Sequence, residues 1–176
     1  FSTEHKLPGG AVDDNKMVSD LNKQLKAAYG ADNLVLSAYN YQITINQHVI
    51  DSAKFDRSAI VQTVMNYARA IKGVDRVFEM NKLMMQPMAA LVKERIGNGW
   101  HPKRSGDIQI IFAPGWIDGG PTGTTHGLWN PYDSHIPLLW YGWGIKPGKS
   151  NQEVYMTDIA ATLAALLKIQ MPSGCV

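Results

Sequence analysis

Apolar residues recur at helical spacing in four stretches of the chain, and the first two have clear end signals. Between residues 12 and 29, apolar side chains fall on one helical face, and Gly30 is placed to end the helix. Asp56 stands where an N-cap is expected before a second amphipathic stretch, with Gly73 beyond its end. These patterns predict two helices, with inward faces formed by Met17, Val18, Leu21, Leu25 and Ala28, and by Ile60, Val61, Val64, Met65, Ala68 and Ile71.

Two more helices are predicted further along. Pro87 is suited to a first-turn position and opens a helix that continues to Gly97. Thr157 and Asp158 serve best as N-cap and first-turn acid of a helix over 158–168, rather than as catalytic groups. Four methionines precede or enter the Pro87 helix, and we expect them to be flexible packing residues: Met80, Met84, Met85 and Met88.

Short runs rich in β-branched and aromatic residues predict strands between the helices. The segments 34–36 and 41–45 are followed by Asn46 and Gln47, which suggest a tight reversal into a further strand at 48–50. Further strands are expected at 74–80, 107–112 and 136–141.

The order of these elements predicts the domain organisation. Residues 1–10 form an incoming loop, and 11–117 form an α+β subdomain with helices on one side of a mostly antiparallel sheet. The remaining segment, 118–176, contains a loop without periodicity and then a strand and a helix.

Composition limits the possible partners. Apolar residues make up 45% and charged residues 18%, and the formal net charge of +2 has no long block of one sign. Neither nucleic acid nor a membrane is therefore expected as a partner, and no stretch has the length of a membrane span. The one cysteine, Cys175, cannot form an internal disulfide, and a zinc site built on thiolates is excluded.

The aperiodic segment 113–134 is the best candidate for a functional loop, because long irregular segments within compact domains usually serve function or are mobile. His126 and His135 flank this glycine-rich loop where it meets an apolar run. Neutral imidazole is the commonest protein ligand for zinc. Residue type alone leaves the alternative that each histidine is a surface or hydrogen-bonded structural group.

The run from Gly123 to Gly142 narrows these alternatives. It contains Thr125-His126-Gly127, then Tyr132-Asp133-Ser134-His135-Ile136-Pro137, then an apolar segment. This run resembles the late metal-binding segment of the alkaline phosphatase superfamily, in particular that of bacterial zinc-dependent, phosphate-irrepressible alkaline phosphatases, which are relatives of the nucleotide pyrophosphatase/phosphodiesterases. In that pattern the histidine before glycine is a zinc ligand, which is His126 here.

The resemblance implies a fold and a function. The fold is α/β, the C-terminal part of an alkaline-phosphatase-like α/β/α sandwich with a small α+β subdomain, and 118–176 returns to the core with the metal-site loop. The function is that of the C-terminal segment of a zinc-dependent phosphoric-ester hydrolase with two zinc ions, periplasmic or secreted. Its partners are a phosphate ester substrate and a missing N-terminal part of the same protein.

The same resemblance places the nucleophile and an Asp-His-Gly ligand pair before Phe1. No catalytic residue is therefore matched in this chain, His126 is the only matched metal ligand, and we expect the isolated chain to be inactive. The segments 108–112 and 136–141 are expected to lack their usual strand neighbours and to leave apolar surface exposed.

Several alternatives stay open at this point. Asp133 either orients a histidine or serves simple turn chemistry, and His135 either contacts zinc or phosphate or only forms a hydrogen bond. The chain as a whole is alternatively a noncatalytic binding or lid module, or a phosphomutase or sulfatase relative within the same superfamily.

Overall fold

The computed structural model describes residues 5–120 and 126–174, and these fall into two units that divide between His135 and Ile136. Gly123, Thr124 and Thr125 of the candidate loop, and Cys175, lie outside the described residues. The ranges 1–10, 11–117 and 118–176 remain a prediction.

The first unit contains nearly all of the regular structure. Its elements in chain order are β1 (Gly10–Val12), α1 (Asp14–Tyr29), β2 (Val35–Tyr39), β3 (Gln42–Ile45), α2 (Gln47–Ala53), α3 (Arg57–Arg69), β4 (Val74–Glu79), a 3-10 helix (Met80–Met85), α4 (Ala90–Asn98), β5 (Ile108–Phe112), β6 (Trp116–Asp118) and the short α5 (Pro131–Ser134).

A four-stranded antiparallel sheet with the strand order β2-β3-β5-β4 forms the centre of this unit. β5 is buried along its whole length and pairs with β3 on one side and β4 on the other. The expectation that 108–112 lacks its strand neighbours is therefore wrong, since this apolar strand is central to a sheet that the first unit completes by itself. β1 and β6 form a separate parallel pair.

Helices cover both faces of the sheet. Consecutive residues of β5, such as Ile110 and Ile111, face opposite sides of the sheet and join different clusters. The main core contains the apolar faces of α1 and α3, whereas the second core joins Ile96 of α4 and Leu83 of the 3-10 helix to Phe78. The predicted one-sided layer is thus wrong, because β4 and β5 carry large apolar side chains on both faces.

Helix ends explain where the sequence prediction succeeded and where it failed. Asp13 and Asp56 accept N-cap hydrogen bonds for α1 and α3, as their positions require. The strand expected at 48–50 is instead α2, because the Asn46 side chain caps a helix by accepting from the Val49 N–H at 3.3 Å. Pro87 lies in an extended link before α4, since the preceding residues form the 3-10 helix.

The hairpin between β2 and β3 has an unusual turn. Asn40 and Tyr41 both have positive φ, at 50° and 62°, as a two-residue type I′ turn requires. Tyr41 is a bulky residue in a left-handed conformation, which costs roughly 1–2 kcal/mol. Its side chain is nevertheless buried, so packing around the ring offsets that cost.

A cluster of charged side chains ties α3 to the sheet. The Arg57 guanidinium contacts the Glu79 carboxylate at 3.2 Å and the Asp107 carboxylate at 2.9 Å, and Lys82 contacts Glu79 at 2.5 Å. The hydrogen bond from Lys82, followed by that from Arg57, holds the pKa of Glu79 below its usual range although burial opposes this. Asp107 also accepts from the Ile45 N–H at 2.8 Å, so the cluster fixes β3 as well.

The second unit has one helix, α6 (Asp158–Leu167), among its described residues. Thr157 makes no side-chain capping bond. Thr157 nevertheless stands at the N-cap position and Asp158 in the first turn, as predicted, and the Asp158 carboxylate accepts from the Tyr155 N–H at 2.8 Å. No helix in the described ranges is long and apolar enough to cross a membrane.

Apolar side chains of the second unit are largely exposed. Residues 136–141 form no strand, and Leu139 and Tyr141 are 86% and 103% exposed. The expected apolar exposure of this segment is confirmed, but the expected strand is not formed. On α6 only Ala164 is buried, and Leu163, Leu166 and Leu167 remain exposed.

The four methionines near Pro87 belong to the first unit. Met80 is a buried packing residue and Met88 is partly buried, whereas Met84 and Met85 are exposed.

Candidate functional site

The segment 126–135, which we call the site loop, is the last part of the first unit. Its apolar residues fix it to the two cores of that unit. Leu128 is 7% exposed and belongs to the main core, and the adjacent Trp129 packs against the second core. The Asp133 carboxylate accepts from the Leu128 N–H at 2.8 Å and closes the loop on itself. This is a turn contact, as one of the two roles that the sequence left open for Asp133 requires.

Trp129 joins the site loop to the strained hairpin. Its ring meets the Tyr41 ring edge-on at a centroid distance of 6.1 Å, and Tyr41 in turn contacts Phe112 at 5.4 Å. The Arg95 guanidinium donates to the Trp129 carbonyl at 3.4 Å. The left-handed conformation of Tyr41 thus directs its ring between β5 and the site loop.

A second attachment runs through Tyr132. Its phenol oxygen accepts from the Gly115 N–H at 3.0 Å and from the Asn130 side-chain amide at 2.8 Å. The Gly115 carbonyl accepts from the Gly10 N–H at 3.1 Å. One residue of the turn before β6 therefore connects the site loop to the strand β1.

That turn is itself held by close packing around Trp116. A Cβ on Gly10 would lie 2.8 Å from the Trp116 ring, and a Cβ on Gly73 would lie 2.1 Å from it. A Cβ on Gly115 would lie 2.5 Å from the Pro8 carbonyl oxygen, and Gly115 has a positive φ of 82°. Glycine at these positions lets three chain segments approach the indole and one another.

His126 and His135 lie at the two ends of the site loop, and both are exposed. The backbone N–H of His135 donates to the Pro131 carbonyl at 3.0 Å, so this bond does not involve the imidazole. Within residues 5–120 and 126–174, no three His, Cys, Asp or Glu side chains come together as a group that could hold a metal ion. A catalytic zinc normally has three protein ligands, so His126 has the chemistry and exposure for one coordination position but the described residues do not complete a site.

Sequence reasoning missed the residues that fix the loop, namely Leu128, Trp129, Tyr132, Arg95 and Tyr41. The concentration of aromatic residues around Asn130 and Pro131 is a signal that the loop is packed rather than open. The partners of those aromatic residues depend on tertiary contacts and carry no local pattern.

The whole chain is similar in sequence and in structure to known alkaline phosphatases. The chain is 43% identical to alkaline phosphatase PafA of Elizabethkingia meningoseptica over 178 aligned residues, which is 100% of this chain. It matches the crystal structure of wild-type PafA with a TM-score of 0.88 at 42% identity over 100% of its length. The chain is homologous over its whole length to part of an alkaline phosphatase. The present chain also matches a crystal structure of a PafA variant with four substitutions, with a TM-score of 0.87 at 43% identity. This match covers 100% of the present chain and 33% of the PafA variant.

Two other relatives match nearly the whole chain as well. Alkaline phosphatase PhoV of Synechococcus elongatus is 38% identical over 98% of the chain, and a Myroides odoratus protein named calcium-transporting ATPase is 39% identical over 99%. No protein-family model matches.

The chain spans about a third of the length of these relatives, 31% to 34% in the comparisons with natural sequences and wild-type PafA. It corresponds to the C-terminal part of PafA and has mixed helices and strands, which confirms the predicted fold class.

Proposed function

We propose that this chain is the C-terminal segment of a zinc-dependent phosphoric-ester hydrolase of the alkaline phosphatase or phosphodiesterase type. The observation that carries the proposal is the match to PafA over 100% of the chain, in sequence and in structure. The relatives' names describe alkaline phosphatases, and the site loop is the segment whose sequence resembles a zinc-binding segment of that superfamily.

In this proposal His126 holds one zinc ion. Its imidazole is exposed at the leading end of a loop that is otherwise fixed through Leu128, Trp129 and Tyr132, so a ligand is presented from a firm base. Zinc in such enzymes supplies Lewis-acid stabilisation of phosphoryl oxygens and activates the nucleophile. The second zinc, the remaining ligands and the nucleophile belong to other parts of the protein.

The exposed apolar surface of the second unit supports a larger assembly. Leu139, Tyr141 and Trp143 are exposed, as are Leu163, Leu166 and Leu167 of α6. Exposed large apolar side chains in such number are typical of a surface that packs against a partner. We propose that this surface packs against the N-terminal two-thirds of the same protein.

Asp133 and His135 have subsidiary roles in this proposal. Asp133 acts through the loop, because its carboxylate binds the Leu128 N–H. His135 is exposed at the far end of the same loop and is a candidate donor to the phosphate of the substrate.

The relative named calcium-transporting ATPase favours a second candidate substrate class. An ATPase cleaves a phosphoric anhydride, and a phosphatase cleaves a phosphoric ester, so both reactions move a phosphoryl group to water. A nucleoside triphosphate is therefore tested beside phosphate monoesters and diesters. We also propose a periplasmic or secreted location, which rests on the resemblance alone and is tested by cell fractionation.

The experiment uses the longer protein that carries this sequence and two histidine variants of it. His126→Ala is expected to lower zinc content and hydrolysis rate together, because a metal ligand determines both. His48→Ala, which removes an exposed imidazole on α2 of the same unit, is the matched control and should change neither. A His126→Ala protein with full zinc content and full rate would remove His126 from the site.

A further inference from the structure

The site loop is also held by contacts outside the two cores, among them the Arg95 bond to the Trp129 carbonyl and the bond between Gly115 and the Tyr132 phenol. Leu128 and Trp129 fix the middle of the loop by packing into the two cores, and a separate link joins the loop to the turn before β6. The Tyr132 phenol provides that link, because its oxygen accepts from the Gly115 N–H at 3.0 Å.

Gly115 is a suitable anchor because its turn is fixed from several directions. The Gly115 carbonyl accepts from the Gly10 N–H, and the Ala113 N–H donates to the Gly73 carbonyl at 2.8 Å. Trp116, the next residue, is packed so closely against Gly10 and Gly73 that neither position has room for a Cβ. A hydrogen bond to this turn therefore fixes the loop relative to β1 and β6.

We propose that Tyr132 is a positioning residue for His126, and that its phenol oxygen sets the site loop against the β1–β6 pair through Gly115. This inference rests on the proposed role of His126 as a zinc ligand. Tyr132 does not touch the metal. It holds the loop at the place where the His126 imidazole meets the other ligands, so its loss should weaken zinc binding without unfolding the unit.

The Asn130 amide strengthens the assignment. Its side chain donates to the same phenol oxygen at 2.8 Å, and its carbonyl accepts from the N–H groups of Asp133 and Ser134, both at 2.9 Å. The phenol oxygen is thus held from within the loop while it accepts from Gly115. Two donors converge on one acceptor, which restricts the orientation of the ring although Tyr132 is 63% exposed.

The test compares Tyr132→Phe with Tyr39→Phe in the longer protein that carries this sequence. Tyr39 is 70% exposed on β2 of the same unit, so its variant removes a phenol oxygen without touching the loop. Zinc affinity is measured by competition with a chromophoric chelator, thermal midpoints are recorded, and amide hydrogen exchange is followed at Gly115 and Leu128 against Ile110 in β5.

Tyr132→Phe is expected to weaken zinc binding by about tenfold, the lower end of the 10–100-fold range for residues that orient metal ligands. Exchange should accelerate at Gly115 and Leu128 but not at Ile110, and the thermal midpoint should match that of Tyr39→Phe. Unchanged zinc affinity in Tyr132→Phe, with His126→Ala clearly impaired, would overturn the positioning role while leaving the proposed function standing.

Other outcomes are also decisive. If wild type and His126→Ala bind zinc equally, the proposed function fails, and with it the role of Tyr132 toward zinc. Unchanged exchange at Gly115 in Tyr132→Phe would overturn the hydrogen-bonded link itself, whatever the zinc result. A matching fall in thermal midpoint and zinc affinity would show a general structural role and would also overturn the inference.

Discussion

Replacing Gly73 by alanine is expected to destabilise the first unit strongly, because the residue has two separate reasons to be glycine. Its φ of 94° is unfavourable for any residue with a Cβ, which costs roughly 1–2 kcal/mol. The added Cβ would also lie 2.1 Å from two carbons of the Trp116 ring, and overpacking of this kind typically costs about 1–3 kcal/mol. The sum predicts a loss of about 2–5 kcal/mol in the free energy of unfolding.

Two other glycines separate these contributions. Gly30→Ala has a positive φ of 72° but no atom within 4 Å of the new Cβ, so it reports the backbone cost alone. Gly10→Ala has no such φ, but its Cβ would lie 2.8 Å from Trp116, so it reports crowding alone. We expect Gly73→Ala to cost more than either single contribution.

The assay is chemical unfolding followed by far-ultraviolet circular dichroism. Free energies are compared between variants whose unfolding free energy falls with denaturant concentration at the same slope. In a double-mutant cycle, Trp116→Leu should reduce the cost of Gly73→Ala by more than about 1 kcal/mol, since the two residues touch. If Gly73→Ala were no more destabilised than Gly30→Ala, or if the cycle showed no coupling, the described packing of Trp116 would be refuted.

Two further predictions concern the charged cluster and the apolar surface. Glu79→Gln should lose about 1–3 kcal/mol of stability near neutral pH, because charge-assisted hydrogen bonds from Lys82 and Arg57 are weakened. The pKa of Glu79 is lowered on folding, so its stabilisation is present above about pH 4.5 and lost as pH falls through the folded pKa. Unfolding curves recorded from neutral pH downwards should therefore converge for wild type and Glu79→Gln as pH falls below the folded pKa, and a gap that stays constant would contradict the assignment. The isolated 176-residue chain should self-associate through its second unit. Sedimentation velocity should show a smaller species for the double variant Leu139→Ser with Tyr141→Ser, and a monomeric wild type would argue against an unpartnered surface.

Local signals in the sequence predicted most of the first unit. Asp56 and Gly30 act through contacts within a few residues, so the helix ends followed from the pattern, and the apolar run 108–112 marked a buried strand by its composition. The misassigned segment 48–50 shows the limit, since Val49 and Ile50 favour a strand by propensity while Asn46 caps a helix.

Features that depend on distant partners were not predictable in this way. The full pairing of β5 depends on β3 and β4, which lie far away in the sequence, and the apolar run alone does not reveal whether its neighbours are present. The segment 136–141 has the composition of a strand but forms none in the described chain, because no neighbouring strand pairs with it there. A strand requires a partner to satisfy its backbone groups.

The candidate site divides along the same line. His126 was found through resemblance of its surrounding residues, whereas its exposure and the fixation of its loop required the structure. The structure adds one contact of Asp133, to the Leu128 N–H, which the sequence did not reveal. Tyr132 belongs to the run that carries the resemblance, but nothing in the sequence indicated its hydrogen bond to Gly115.

The central claim is that this chain contributes one part of a zinc-dependent hydrolase and cannot act alone. The most direct measurement is hydrolysis of an activated phosphate monoester by the purified 176-residue chain with added zinc, beside the longer protein under the same conditions. We predict no turnover by the isolated chain, since the described residues bring together no three metal ligands, and zinc-dependent turnover by the longer protein. Turnover that follows the isolated chain through purification and disappears in His126→Ala would contradict the account.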